Sequence, residues 1–221
     1  MWMRRSRTFS EPRCAATRLL HVGLASVLAT CLGCSAFDPR DPIPPPVTTD
    51  PCQATFVEAQ TAEALRDNIK RGLECRRVDT IYQPSLEPSF TYVPDPNLDA
   101  SAFIGWNLTK EIQTMQRALI DGPNAPDSLR MTYRKFQRAA EQPVPDAVRY
   151  DVEYLVEMWK AATLRRYGAC AKWDLAGISL NRVTLRRWED VAQYGSTGSC
   201  VPDPGGNVNG SLGRLRLEEA P

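Results

Sequence analysis

The side chains that most often carry out catalysis are unevenly spread along this sequence. Its only histidine, His21, lies in an N-terminal stretch that reads as removable. Without it the mature chain has no means of Ser-His-Asp or Cys-His nucleophilic catalysis, of His-containing zinc sites or of His-ligated haem. A hydrolase would have to work with carboxylates or with Ser and Lys. Glu153 and Glu157 stand four residues apart beside Asp151, so on a helix they would share one face, as acid-base work on a glycan requires. Arg149 and Lys160 flank them, and a solvated helix face explains the pattern more simply. No Ser-x-x-Lys occurs, and Gly195 to Ser199 falls short of a Gly-x-Ser-x-Gly elbow. Asp203 to Gly210 looks superficially like a calcium loop, but its acidic spacing fails and no Glu closes it. No catalytic residue, metal site or cofactor is therefore expected.

Two further patterns allow binding. Arg130, Arg134 and Arg138, with Lys135, would form a basic stripe on a helix, facing an anionic head group, a glycan, an acidic partner or only solvent. Trp106, Trp159, Trp173 and Trp188 would make either a sugar platform or core, and the helical phase of Trp159 and Trp188 favours core.

The N-terminus carries Arg4, Arg5, Arg7, Arg13 and Arg18, followed by an apolar run from Leu19 to Leu32 broken only by His21, Ser26 and Thr30. That run is shorter than the roughly 20 residues that span a bilayer, so residues 1–33 read as a secretory signal peptide. Leu32-Gly33-Cys34-Ser35 resembles the lipobox of bacterial lipoproteins, although Cys31 sits where that class prefers Leu. The resemblance implies that Cys34 is lipid-modified and becomes the new N-terminus, with Cys31, after Leu28-Ala29-Thr30, as a second candidate. Ser35 rather than Asp after the cysteine implies the outer membrane where a cell has two. The resemblance covers these first residues only. Arg4 to Phe9 is also similar to a twin-arginine signal with altered spacing.

With 33 residues removed, 188 of the 221 remain, carrying 22 of the 27 basic and 25 of the 26 acidic side chains, a net charge of about −3. There is no basic excess for nucleic acid, and the length suits one core. Residues 34–50 include prolines 39, 42, 44, 45 and 46, the composition of a polyproline-like tether. Residues 51–200 read as a helical domain. Asp50-Pro51 starts a first helix carrying Ala62, Leu65, Ile69 and Leu73; a second carries Ile104, Leu108, Ile112, Met115 and Leu119; a third Leu129, Tyr133, Phe136 and Ala140; a fourth Val148, Val152, Leu155, Trp159 and Ala162; and a fifth Leu185, Trp188 and Ala192. Phe90 and Tyr92 alternate as in a short edge strand. Residues 201–221 read as a Gly/Pro-rich tail, with Leu212, Leu215 and Leu217 available to dock. The fold class expected is all-α, an antiparallel bundle of four to five helices with Pro-rich loops and a minor strand.

Four cysteines remain beside Cys34: Cys52, Cys75, Cys170 and Cys200. In an exported chain an even set suggests disulfides. If residues 50 to 75 are mostly one helix, Cys52 and Cys75 lie about 34 Å apart at 1.5 Å per residue, far beyond the ~7 Å that bonded Cα atoms allow. The expected bridges are thus 52 to 200 with 75 to 170, or 52 to 170 with 75 to 200. The functional expectation is a lipid-anchored envelope protein, membrane-bound and facing the periplasm, with a structural, assembly or binding role and an envelope protein as partner. A carboxylate-dependent glycan enzyme and a small-ligand-binding lipoprotein are the alternatives.

Overall fold

A computed structural model describes residues 50–141, 146–191 and 208–220. The chain divides into two units, Met1–Val47 and Thr48–Pro221, and all the described residues belong to the second. The tether, Cys31, Cys34, Cys200 and the segments from Gly195 to Ser199 and from Asp203 to Asn207 lie outside them, so the readings made there are not addressed by the structure.

The domain is α+β, not an all-α bundle. Five strands, β1 (Leu86–Val93), β2 (Ser128–Arg138), β3 (Ala147–Lys160), β4 (Thr163–Ala176) and β5 (Thr184–Val191), form one mixed sheet in the order β1-β5-β4-β3-β2. The β1-β5 pair is parallel and the rest are antiparallel. Helices α1 (Ala62–Glu74), α2 (Leu108–Gln116) and α3 (Leu212–Glu219) accompany it. Two of the expected helical regions hold helices, both shorter than expected: α1 begins at Ala62 rather than at Pro51, and Ile104 lies exposed before α2. α1 buries Ala62, Leu65, Ile69 and Leu73, and α2 buries Ile112 and Met115. Where the short strand was expected, β1 buries Phe90 and Tyr92.

The third, fourth and fifth expected helices are strands, and a β-bulge explains the first misreading. Leu129, Met131 and Tyr133 alternate inward, and the register then slips between Tyr133 and Lys135, so that Phe136 rejoins the same face. An extra residue in a strand turns a spacing of two into three, and Leu129, Tyr133 and Phe136 then imitate a helical stripe. In β3 the inward residues are Val152, Tyr154, Val156 and Met158, each at most 1% exposed. Leu155 and Trp159, which completed the helical pattern, fall on the opposite face. β3 turns into β4 through Ala161 at φ 51°, a hairpin without the Asn-Gly signal that usually marks one.

The inner face of the sheet continues with Tyr167, Ala169, Ala171, Trp173 and Leu175 of β4, and with Leu185, Trp188 and Asp190 of β5. Trp106, Trp173 and Trp188 are core, and Trp159 is partly exposed. The outer face is charged and cross-braced: Arg149 with Asp174 (2.6 Å), Arg166 with Glu157 (3.1 Å) and Lys135 with Asp151 (3.8 Å).

The cysteine pairing also differs from expectation. Cys52 is bonded to Cys75, with Cα atoms 5.2 Å apart. The exclusion of this pair assumed a helix from Asp50, but α1 starts at Ala62, where the Thr61 hydroxyl accepts the Ala64 N–H. The residues before it return beside the C-terminal end of α1, where Arg77 donates to the Cys52 carbonyl (3.2 Å). Cys170 is also disulfide-bonded. The tail contains a helix: α3 buries Leu212 and Leu215, and Leu217 packs partly against the core.

Candidate functional site

The strongest concentration of chemically active side chains is buried between α2, α3 and the inner sheet face. Asn107 caps α2, its side chain accepting the Lys110 N–H, and this sets Glu111 in the first turn, where the helix dipole favours an anion. Glu111 faces inward with Ile112 and Met115 and is 0% exposed. It meets Arg216 of α3, also 0% exposed, in a two-pronged ion pair: Nη2 to Oε1 at 2.7 Å and Nε to Oε2 at 2.9 Å. The Tyr82 hydroxyl (2.6 Å) and the Trp106 indole (2.8 Å) donate to the same carboxylate. Burial alone would raise the Glu111 carboxyl, but the Arg216 charge and these hydrogen bonds outweigh it and hold it below the ordinary glutamate range.

The Arg216 guanidinium also lies 4.0 Å from the ring centroid of Tyr92 and 5.1 Å from that of Trp188, close enough for cation–π attraction. Burial works against its charge, but Glu111 keeps it protonated, its pKa well above the ordinary value. Its Nη1 has no hydrogen-bond acceptor among the described residues. Beyond the two rings lies Asp190, 1% exposed, which accepts from Tyr92 (2.6 Å), Tyr154 (2.9 Å) and the Trp188 indole (2.8 Å). Burial raises the Asp190 carboxyl, and Arg216 and the three hydrogen bonds only partly counter that. Burial likewise lifts the hydroxyls of Tyr82, Tyr92 and Tyr154 well above their usual range.

Chemically, this is an internal network whose groups bond to one another, with Arg216 Nη1 the exception. The Glu111 carboxylate has four donors, and α3 lies over it. α3 fits closely enough that a Cβ on Gly213 would meet the Tyr92 hydroxyl at 2.3 Å and the Leu98 side chain at 2.9 Å. Among the described residues no three Cys, His, Asp or Glu side chains converge to hold a metal, and no helix is long and apolar enough to cross a membrane.

The residues singled out from the sequence are scattered. Glu153 and Glu157 lie on the outer face of β3, with Glu157 tied to Arg166; they form no cleft. The expected basic stripe is interrupted, because Arg130 and Arg138 lie on either side of the bulge and Arg134 is skipped by it. Sequence reasoning missed Glu111, Asp190 and Arg216. A signal existed for each: Glu111 interrupts the apolar face of Leu108, Ile112 and Met115, Asp190 alternates with Trp188, and Arg216 stands four after Leu212.

Surface hollows lie elsewhere among the described residues. One, of about 650 Å³, is lined by Phe56, Ala59, Leu86, Leu108 and Val183, with Glu58, Asp79, Glu87 and Arg182 around it. Another, of about 500 Å³, includes Asp95, Arg165, Tyr167 and Arg214.

No family model matches the sequence, and no curated protein does. Among solved structures the chain is similar to the beta subunit of benzoate 1,2-dioxygenase from Burkholderia mallei (13% identity, TM-score 0.45, covering 58% of this chain and 86% of that one). It is also similar to an NTF2-like protein with a cystatin-like fold from Novosphingobium aromaticivorans (14%, TM-score 0.40, 60% and 80%). A third likeness is to an LEH-like epoxide hydrolase of M. tuberculosis (12%, TM-score 0.41, 61% and 81%).

Proposed function

We propose that this chain is a lipid-anchored binding component of the bacterial envelope, held at the membrane through Cys34 and a Pro-rich tether, and that it binds through its surface rather than performing catalysis. One observation carries the reading: the acid-base groups of the interior are consumed by one another, with Glu111 and Arg216 both 0% exposed beneath α3. The carboxylates that suggested glycan chemistry, Glu153 and Glu157, lie on the outer face, and that alternative is set aside. The small-ligand alternative draws support from the 650 Å³ hollow, whose volume is within the range of ligand sites and whose lining combines apolar side chains with the charges of Glu58, Asp79, Glu87 and Arg182.

Metabolic labelling with a radioactive fatty acid tests the anchor. Label is expected in the wild type and in Cys31→Ser and absent from Cys34→Ser; label retained by Cys34→Ser contradicts the assignment. For the hollow, Val183→Arg is expected to abolish retention of envelope ligands by the purified full chain, while Glu157→Gln leaves it intact.

A further inference from the structure

Three formal charges are buried together in the interior, and two of them are paired. Glu111 and Arg216 neutralise each other; Asp190 is the third, and its donors, Tyr92, Tyr154 and Trp188, are all neutral. The same donors fasten α3. The Tyr154 hydroxyl, while donating to Asp190, accepts the N–H of Leu212, the first residue of α3 (3.1 Å). The rings of Tyr92 and Trp188 carry the Arg216 guanidinium. The helix is therefore attached at its first residue and at its middle to the groups that hold Asp190.

We propose that Asp190 is a proton-operated latch on α3: the helix docks most tightly when the carboxyl is protonated and loosens when it ionises. The physical basis is solvation. With α3 in place, an ionised Asp190 sits in a low-dielectric interior without a cation of its own, which is unfavourable; undocking hydrates it. A protonated Asp190 carries no charge to solvate: its Oδ2–H donates to the Tyr92 oxygen in place of the bond Tyr92 gave it, while Oδ1 goes on accepting from Tyr154 and Trp188.

The groups facing Asp190 come from every element packed around it. Tyr92 of β1, Tyr154 of β3 and Tyr82, which precedes β1, are pushed far above their usual range by burial and remain neutral. Trp188 of β5 does not titrate. Arg216 of α3 stays cationic and Glu111 of α2, held low, stays ionised. The direction follows. Asp190 is raised in the docked state, so its contribution to docking is complete below the ordinary aspartate range and is lost as pH rises through the shifted value. Glu111 is lowered, so its contribution is present above the ordinary glutamate range and fails only in stronger acid. Docking is tightest between the two.

Hydrogen exchange of the full-length, lipidated chain in detergent, followed by mass spectrometry of peptides covering Leu212–Glu219 from pH 4.5 to 8, tests the latch. After correction for the intrinsic rate, one linked proton gives up to about a tenfold loss of protection per pH unit between the ordinary aspartate range and the docked-state pKa, levelling off above it. Asp190→Asn, neutral at every pH, is expected to keep α3 protected with a flat profile. Glu111→Gln is expected to lower protection across the range and keep the slope. A flat wild type, protection that grows with pH, or an unchanged slope in Asp190→Asn overturns the proposal. Should Asp190→Asn fail to fold, a carbon-13 titration of the wild-type Asp190 carboxyl decides: a midpoint above the ordinary aspartate range at which the loss of protection levels off supports the latch, and one at or below that range overturns it.

Discussion

Replacing Arg216 with Met keeps the length of the side chain and removes its charge, leaving Glu111 as a buried carboxylate with only the Tyr82 and Trp106 donors. Both charged partners are 0% exposed, so no water moves in to compensate, and breaking such a pair from one side costs about 3–5 kcal/mol. Loss of the cation–π contacts to Tyr92 and Trp188 belongs to the same substitution, at about 0.5–2 kcal/mol for each desolvated contact. Much of that loss is recovered by van der Waals contact of the Met side chain with the same rings. Urea denaturation at neutral pH, with the disulfides intact, should therefore show a destabilisation of about 3–5 kcal/mol. In a domain of this size that lowers the melting temperature by roughly 6–20 °C, at about 2–4 °C per kcal/mol.

Two companions separate the cause. In the double variant Arg216→Met with Glu111→Gln, no uncompensated charge remains, and most of the stability should return; the cycle should give a coupling of about 2–3 kcal/mol. In the single variant nothing opposes the burial of Glu111, so its carboxyl rises above the ordinary range, and stability should improve as pH falls through that raised value. The wild type should behave oppositely for this residue, losing the Glu111 contribution as pH falls. A cost below about 1 kcal/mol for Arg216→Met, typical of an exposed pair, or no coupling in the cycle, would refute a sealed ion pair.

Other consequences are open to simple measurement. Non-reducing peptide mapping should recover a Cys52–Cys75 linked peptide, and Cys52→Ser with Cys75→Ser should lower stability by about 3 kcal/mol, the loop-entropy value for a separation of 23 residues. Gly213→Ala places a Cβ against the Tyr92 hydroxyl and Leu98 and should cost about 1–3 kcal/mol in thermal melting through overpacking; a neutral result would mean that α3 docks more loosely. Glu153→Gln with Glu157→Gln should change stability by less than about 1 kcal/mol, since the Glu157–Arg166 pair is only partly buried.

The sequence disclosed local apolar faces more reliably than the type of element that bears them. α1 and α2 were legible because Leu65, Ile69, Leu73, Ile112 and Met115 keep an unbroken helical phase, and β1 because Phe90 and Tyr92 alternate. β2 was not, because the bulge after Tyr133 changes the spacing. β3 was not, because Leu155 and Trp159 on its outer face supply apolar residues at helical intervals beside the true inner set of Val152, Tyr154, Val156 and Met158. Strand propensity, carried by Val152, Tyr154, Val156 and Trp159, was the discriminating signal. The disulfide argument was sound geometry applied to a helix that begins eleven residues later than Pro51 suggested. As for the site, Glu111, Asp190 and Arg216 each interrupt an apolar face, and this was visible one residue at a time. That they meet was not visible, because Glu111 and Arg216 are brought together across 105 residues of chain.

The central claim is that the polar interior is filled by the chain's own side chains and closed to solvent. Exchange of the indole N–H protons of Trp106 and Trp188, followed by NMR after transfer of the folded protein into heavy water at mildly acidic pH, tests it most directly. Both protons bond to buried carboxylates, Glu111 and Asp190, and both should persist long after the exposed amide protons have vanished. Their loss together with the exposed protons would contradict a closed interior, and with it the reading of this domain as one that binds only through its surface.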